Sequence, residues 1–293
     1  MEPVITVGLD GSPESLAAAR WAADEAEHRM CTLRLLHAWP MLAPEPTEVP
    51  SEIDQNYWAK RLVHNAQSEL RTLHPGLAVV GSLVADEAQD ALLQAASESS
   101  MTVLGSRGLE RVESYFLGDI SMSVAAHAER PVVLVRAGAR GDAGVPPAAP
   151  EGPGDVVVAL KLHGPCDDLL EFAFTSAAAR NVALRAVHGQ SLPVHAHVPW
   201  GVDHEVGDEI AQDARTQLER VLHPWREKYP GVEVADSVGL ESPARAVVRA
   251  AGGAGLLVVG RRRHHRVPAP RLGPVAQAAL HHAHCPVAVV PHD

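Results

Sequence analysis

The chain contains two copies of one pattern. Val103-Leu104-Gly105-Ser106-Arg107 and Val258-Val259-Gly260-Arg261-Arg262 open two segments that stay in register, 155 positions apart, to the C-terminus. Gly105 falls on Gly260, Arg107 on Arg262, Leu117-Gly118 on Leu272-Gly273, and Pro131-Val132 on Pro286-Val287. The N-terminal halves align at an offset of 151, which brings Val7 onto Val158, Leu9 onto Leu160, Arg29 onto Arg180 and His37 onto His188. Self-similarity at this spacing requires a tandem fold. A length of 293 residues is enough for two separate cores.

Each copy alternates short apolar, β-branched runs with longer helical patterns, the signature of βαβ units around a parallel sheet. The runs in copy one are 4–9, 33–38, 77–84, 101–104 and 132–135; in copy two they are 156–160, 184–187, 232–238, 256–259 and 287–290. The expected fold class is therefore α/β, with two tandem open five-stranded parallel sheets flanked by helices. Residues 138–154 are almost all Ala, Gly and Pro and read as a linker between domain one, 1–137, and domain two, 155–293. Duplicated domains commonly pack as a pseudo-two-fold dimer, which is the expectation here, and a homodimer of whole chains is compatible with it. Ser12-Pro13 predicts an N-cap and first helical position, and Asp86 and Ser242 are expected to cap the third helices. The Pro-rich stretches 40–54 and 190–203 read as surface loops or partial lids.

A net charge of −11 argues against general nucleic-acid binding, despite the local run from Arg261 to Arg266. Cys31, Cys166 and Cys285 are too few and too scattered for a disulfide framework or a thiolate zinc site. No apolar run approaches the roughly 18 residues of a membrane span, and Met1 leads directly into strand pattern without a signal-like segment. A soluble cytoplasmic protein is the expectation.

The chemistry concentrates after the fourth strand of copy one. Gly105-Ser106-Arg107-Gly108, nine residues, then Gly118-Asp119-Ile120-Ser121 join a strand to a helix through a loop with three glycines. Glycine lets backbone N–H groups approach an anion, and the following helix adds its positive end. The spacing is neither a P-loop nor a Gly-x-Gly-x-x-Gly turn.

This pattern, with the opening Val7-Gly8-Leu9-Asp10-Gly11-Ser12 and the Pro-Val-rich last strand, resembles the nucleotide-binding kind of tandem universal stress protein. The resemblance covers both copies and implies that family's fold, adenine nucleotide alpha hydrolase-like. It also implies a site for ATP, with or without Mg²⁺, a role in stress response as a sensor or interaction module, and a protein partner that the sequence does not name. It places Gly8, Leu9, Asp10 and Ser12 near ribose and adenine, and Ala38 at the adenine edge. Gly105, Arg107, Gly108, Gly118, Asp119, Ile120 and Ser121 then line the phosphate path. In copy two, Gly260, Arg262 and Gly273 hold the corresponding places. Ligands of open parallel sheets bind where the strand order reverses, which agrees.

Two departures qualify the match. Asp119 stands where the family has Ser or Thr, and two like charges about 4 Å apart cost roughly 4 kcal/mol at an effective dielectric near 20, about a thousandfold in affinity. A bound Mg²⁺ would reverse that sign. In copy two, Arg263 replaces the second glycine, Pro274 the hydroxyl residue, and Lys161 the first-strand acid, so its site reads as degenerate.

His37 and His188 recur at equivalent strand ends, where a backbone hydrogen bond is the plain reading. His281, His282, His284 and Cys285 suit a helix C-terminus better than a metal site. No catalytic triad, paired-carboxylate cleft or cysteine–base arrangement emerges from the spacing. Besides nucleotide binding, slow ATP hydrolysis in the same pocket and a ligand-free scaffold remain open readings.

Overall fold

A computed structural model describes residues 3–39, 55–106, 119–137, 154–191, 197–198, 201–202, 204–263 and 272–293. The chain forms two compact units, Met1–Ala143 and Gly144–Asp293.

Unit 1 runs β1 (Val4–Gly8), α1 (Pro13–Arg29), β2 (Thr32–Ala38), α2 (Gln55–Leu73), β3 (Val79–Val84), α3 (Ala88–Glu98), β4 (Met101–Ser106), α4 (Asp119–His127) and β5 (Val132–Arg136). Its sheet order is β5-β4-β1-β2-β3, every neighbouring pair parallel. Ile5, Val7, Leu33, Leu35, Val103 and Val133 are fully buried, as parallel strands covered on both faces require. Right-handed crossovers put α1 and α2 on one face and α3 and α4 on the other, and each pair is in contact. α1 presents Ala18, Ala19, Ala22, Ala23 and Ala26 to the sheet. These small side chains let it lie close to β1, β4 and β5.

Unit 2 repeats the plan with β6 (Val156–Ala159), α5 (Asp167–Arg180), β7 (Leu184–Gly189), α6 (His204–Lys228), β10 (Val234–Gly239), α7 (Pro243–Ala250), β11 (Leu256–Arg262), α8 (Pro274–His282) and β12 (Val287–His292). Its order is β10-β7-β6-β11-β12, again parallel throughout. An antiparallel pair, β8 (His197–Val198) and β9 (Gly201–Val202), lies within the stretch expected to be loop. Two residues per strand are too few for alternation to register.

Several boundaries differ from expectation at strand ends. β4 runs on to Ser106, β11 to Arg262 and β12 to His292, because ladder bonds continue through polar residues that end an apolar run. Ser12 caps α1 as expected, accepting from Ser15 N at 3.1 Å. Asp86 does not cap α3: Glu87 holds that position, and Asp86 Oδ1 accepts the Glu87 amide at 2.8 Å. Ser242 sits at the cap of α7 but makes no side-chain cap bond.

Candidate functional site

After β1 the chain builds β2 and β3 on one side, then crosses back to place β4 on the other, so the strand order of unit 1 reverses at β1. The carboxyl ends of β1 and β4 flank the resulting crevice. The β1 end is a fixed turn. Gly11 takes φ +82°, in the left-handed region where glycine is at ease. Asp10 Oδ1 accepts from Ser12 N at 2.9 Å and from Ser12 Oγ at 2.5 Å, and Ser15 Oγ donates to Ser12 O at 3.0 Å. These bonds hold the exposed Asp10 carboxylate directly before the first turn of α1.

The β4 end joins two helices. A Cβ on Gly105 would stand 2.6 Å from Glu14 C and 2.7 Å from Ser15 N, so only glycine lets the first turn of α1 rest against this strand. Ser121 Oγ donates to Gly105 O at 3.1 Å, which ties the first turn of α4 to the same residue. Two helix N-termini therefore converge on the end of β4. Each directs the positive end of a helix dipole toward that place, which favours an anion such as phosphate.

Other expected residues take different parts. The missing side chain of Gly8 faces Leu104 Cδ2 at 2.8 Å and Leu92 Cδ2 at 3.0 Å, so core packing against α3 accounts for this glycine. Leu9 is buried; its amide donates to Leu36 O at 2.8 Å and its carbonyl accepts from His37 Nδ1 at 2.7 Å. Its main chain thus serves the sheet rather than standing open toward a base. Ser12 is engaged in the cap and acts on the site through Asp10. Ala38 closes β2, paired with Val84, and Ile120 is exposed on α4. Asp119 is the first residue of α4. Arg107, Gly108 and Gly118 lie outside the described residues.

Unit 2 bridges the equivalent place with its own side chains. Arg263 Nη1 donates to Asp168 Oδ2 at 2.9 Å and reaches Asp293 Oδ1 at 3.5 Å, while Arg262 Nη2 donates to His163 O at 3.4 Å. His292 Nδ1 lies 3.2 Å from Pro165 O, and its ring covers Gly260, where a Cβ would stand 2.7 Å from His292 Cδ2. Burial first, and then the charge of Arg263, draws Arg261 below the usual arginine range. Gly273 is the cap residue of α8, and Pro274 takes the first helical position. A strand, two helix starts and four bridging contacts thus meet where unit 1 keeps its Asp10 turn.

The sequence profile described as "Universal stress protein family" matches residues 2–136 and 154–291, one match in each unit. The chain belongs to the universal stress protein family. It is 32% identical over 297 residues to universal stress protein Rv2005c of Mycobacterium tuberculosis, covering 97% of this chain and 96% of that one. It is 30% identical over 297 residues to Rv2623 of the same organism, with 97% and 95% covered. A crystal structure of a universal stress protein from Archaeoglobus fulgidus superposes over 99% of this chain and 98% of its own, with a TM-score of 0.66 at 18% identity.

Within this universal stress fold the sequence reading missed two features of unit 1. Trp39, one residue past β2, stacks on His37 with centroids 6.2 Å apart and planes 15° apart, and so places a flat ring beside the strand ends. The backbone of Glu14 and Ser15 is the second feature, since it forms the contact that demands Gly105. Trp39 was available as the aromatic next to the Ala38 position, whereas the Gly105 contact has no signal in sequence. Among the described residues no three His, Cys, Asp or Glu side chains are grouped to hold a metal, and no helix is long and apolar enough to cross a membrane.

Proposed function

We propose that this universal stress protein binds one adenine nucleotide, ATP, in the crevice of unit 1 and works as a ligand-responsive sensor or interaction module in a stress response. The observation that carries this reading is the convergence of the α1 and α4 N-termini on Gly105, beside a carboxylate held by Ser12. The helix ends supply anion affinity and Asp10 supplies an acceptor for ribose hydroxyls. The His37–Trp39 stack offers a flat surface for a base, since aromatic faces attract one another in offset stacking.

Asp119, at the start of α4, opposes a terminal phosphate unless a divalent cation lies between them. ATP binding in the presence of Mg²⁺ is therefore the expected form, and Asp119 is the residue that would hold the ion. Unit 2 is the partner domain whose bridged crevice stays closed to nucleotide. Ligand binding would favour one arrangement of the unit 1 loops by the difference in its affinity for the alternatives.

Denaturing the purified protein and analysing the supernatant tests the reading. Co-purified ATP supports it, and ADP alone would instead support slow hydrolysis in the same pocket. An empty extract, together with no thermal shift on adding ATP and Mg²⁺, would favour a ligand-free scaffold.

A further inference from the structure

The outer edge of unit 1 carries a groove of about 740 Å³ between α2 and β3, two strands away from the crevice. Its floor is apolar, with Val63 and Leu83, and its rim carries Tyr57, Lys60, Arg61 and His64. Among the described residues that line it there is no carboxylate. Beside it Trp58 is 56% exposed, edge-on to Tyr57, with the Arg61 guanidinium 5.5 Å from its ring centroid. The groove is open to solvent, and its apolar floor with a few convergent polar groups is the lining that small-ligand sites use.

The second copy supplies an internal control. β3 and β10 start at equivalent residues, Val79 and Val234, so the register of 155 holds here in the structure as well. In unit 2 the corresponding face is neutralised from within: Arg226 on α6 bonds Glu219 and also reaches Asp236 Oδ1 of β10 at 2.8 Å. In unit 1, Arg226 becomes Arg71, Glu219 becomes His64 and Asp236 becomes Gly81. Both carboxylates are gone while the cation stays. Arg71 turns to the Val79 carbonyl at 3.1 Å, and Lys60 and Arg61 stand at the groove. An anion from outside can take the place that Glu219 and Asp236 fill in the other copy.

We propose that this groove is a second ligand site of unit 1, selective for a small aromatic phosphate. The dianion lies against Lys60, Arg61 and His64, and the ring lies against Tyr57 and Leu83. The planar guanidinium of Arg61 and the compact ammonium of Lys60 both suit phosphate oxygens, and a ring on the apolar floor adds buried area that a free phosphate lacks.

Amide chemical shifts of the full chain, followed during titration with phenyl phosphate, test the proposal. The expected result is saturable shifts centred on Tyr57, Lys60, Gly81 and Leu83, with inorganic phosphate binding at least about tenfold more weakly, a difference of about 1.4 kcal/mol. The double variant Arg61→Glu with His64→Glu should keep its circular dichroism spectrum and lose the affinity by about tenfold or more. Shifts confined to Asp10, Gly105 and Ser121, equal affinity for inorganic phosphate, or unchanged affinity in the double variant would each overturn it. The readout is separate from nucleotide binding, because the groove and crevice amides are distinct.

Discussion

The imidazole of His37 is bonded to the carbonyl of Leu9 across 2.7 Å, and His188 repeats the relation with Leu160 at 2.9 Å. A carbonyl only accepts, so Nδ1 carries a proton in both. The bond ties the last residues of β2 to the turn that holds Asp10. His37→Ala leaves the carbonyl of a buried residue without this donor, and it should lower unfolding free energy by about 1–2 kcal/mol. It should weaken ATP as well. Urea unfolding and calorimetric titration check both effects.

Gly105 and Gly260 occupy equivalent positions but meet different obstacles. A Cβ at 105 runs into the backbone of Glu14 and Ser15, whereas a Cβ at 260 runs into the ring of His292 and nears Leu169 Cδ2 at 3.4 Å. A side chain can rotate away and a helix backbone cannot. Gly105→Ala should therefore cost about 1–3 kcal/mol and abolish nucleotide binding, while Gly260→Ala should cost less and leave binding intact. Equal losses of stability would contradict the difference drawn between the two crevices.

Met30 ends α1 in the left-handed conformation, φ 53° and ψ 47°, and Asn181 ends α5 at φ 53° and ψ 48°. Asparagine tolerates that region better than methionine. Met30 is also 90% exposed and so contributes little burial. Met30→Gly should stabilise unit 1 by about 0.5–1 kcal/mol, the relief of left-handed backbone strain less the entropy glycine adds to the unfolded chain. Differential scanning calorimetry should show a raised midpoint.

Asp119→Ser removes the carboxylate from the start of α4 and restores the hydroxyl of the family pattern. ATP binding without Mg²⁺ should tighten by about ten- to a thousandfold, the upper end being the repulsion of two charges about 4 Å apart. AMP, which lacks the terminal phosphate, should change little. Titrations of both nucleotides with and without Mg²⁺ separate these outcomes, and an unchanged ATP affinity would remove Asp119 from the phosphate path.

Sequence alone reveals the repeat, the α/β class and ten of the strands, because parallel strands buried on both faces leave unbroken apolar runs such as Val156-Val157-Val158. It also reveals the Ser12 cap, since a cap depends on residues three positions apart. What it misses depends on distance along the chain. Arg263, Asp168 and Asp293 are remote in sequence, and only the fold brings them together at the mouth of the unit 2 crevice. Gly8 and Gly105 look alike as glycines near strand ends, yet one admits leucine side chains and the other a helix backbone. The basic groove becomes visible only when His64 and Gly81 are set against Glu219 and Asp236 in the structural register.

The central claim is that one crevice of two binds nucleotide. Calorimetric titration of the full chain with ATP and Mg²⁺ measures it directly, on the wild type and on Asp10→Ala. The wild type should bind one ATP per chain, and Asp10→Ala should bind it at least about tenfold more weakly, a loss of roughly 1.4 kcal/mol. Two ATP per chain, or one that survives Asp10→Ala unchanged, would contradict it.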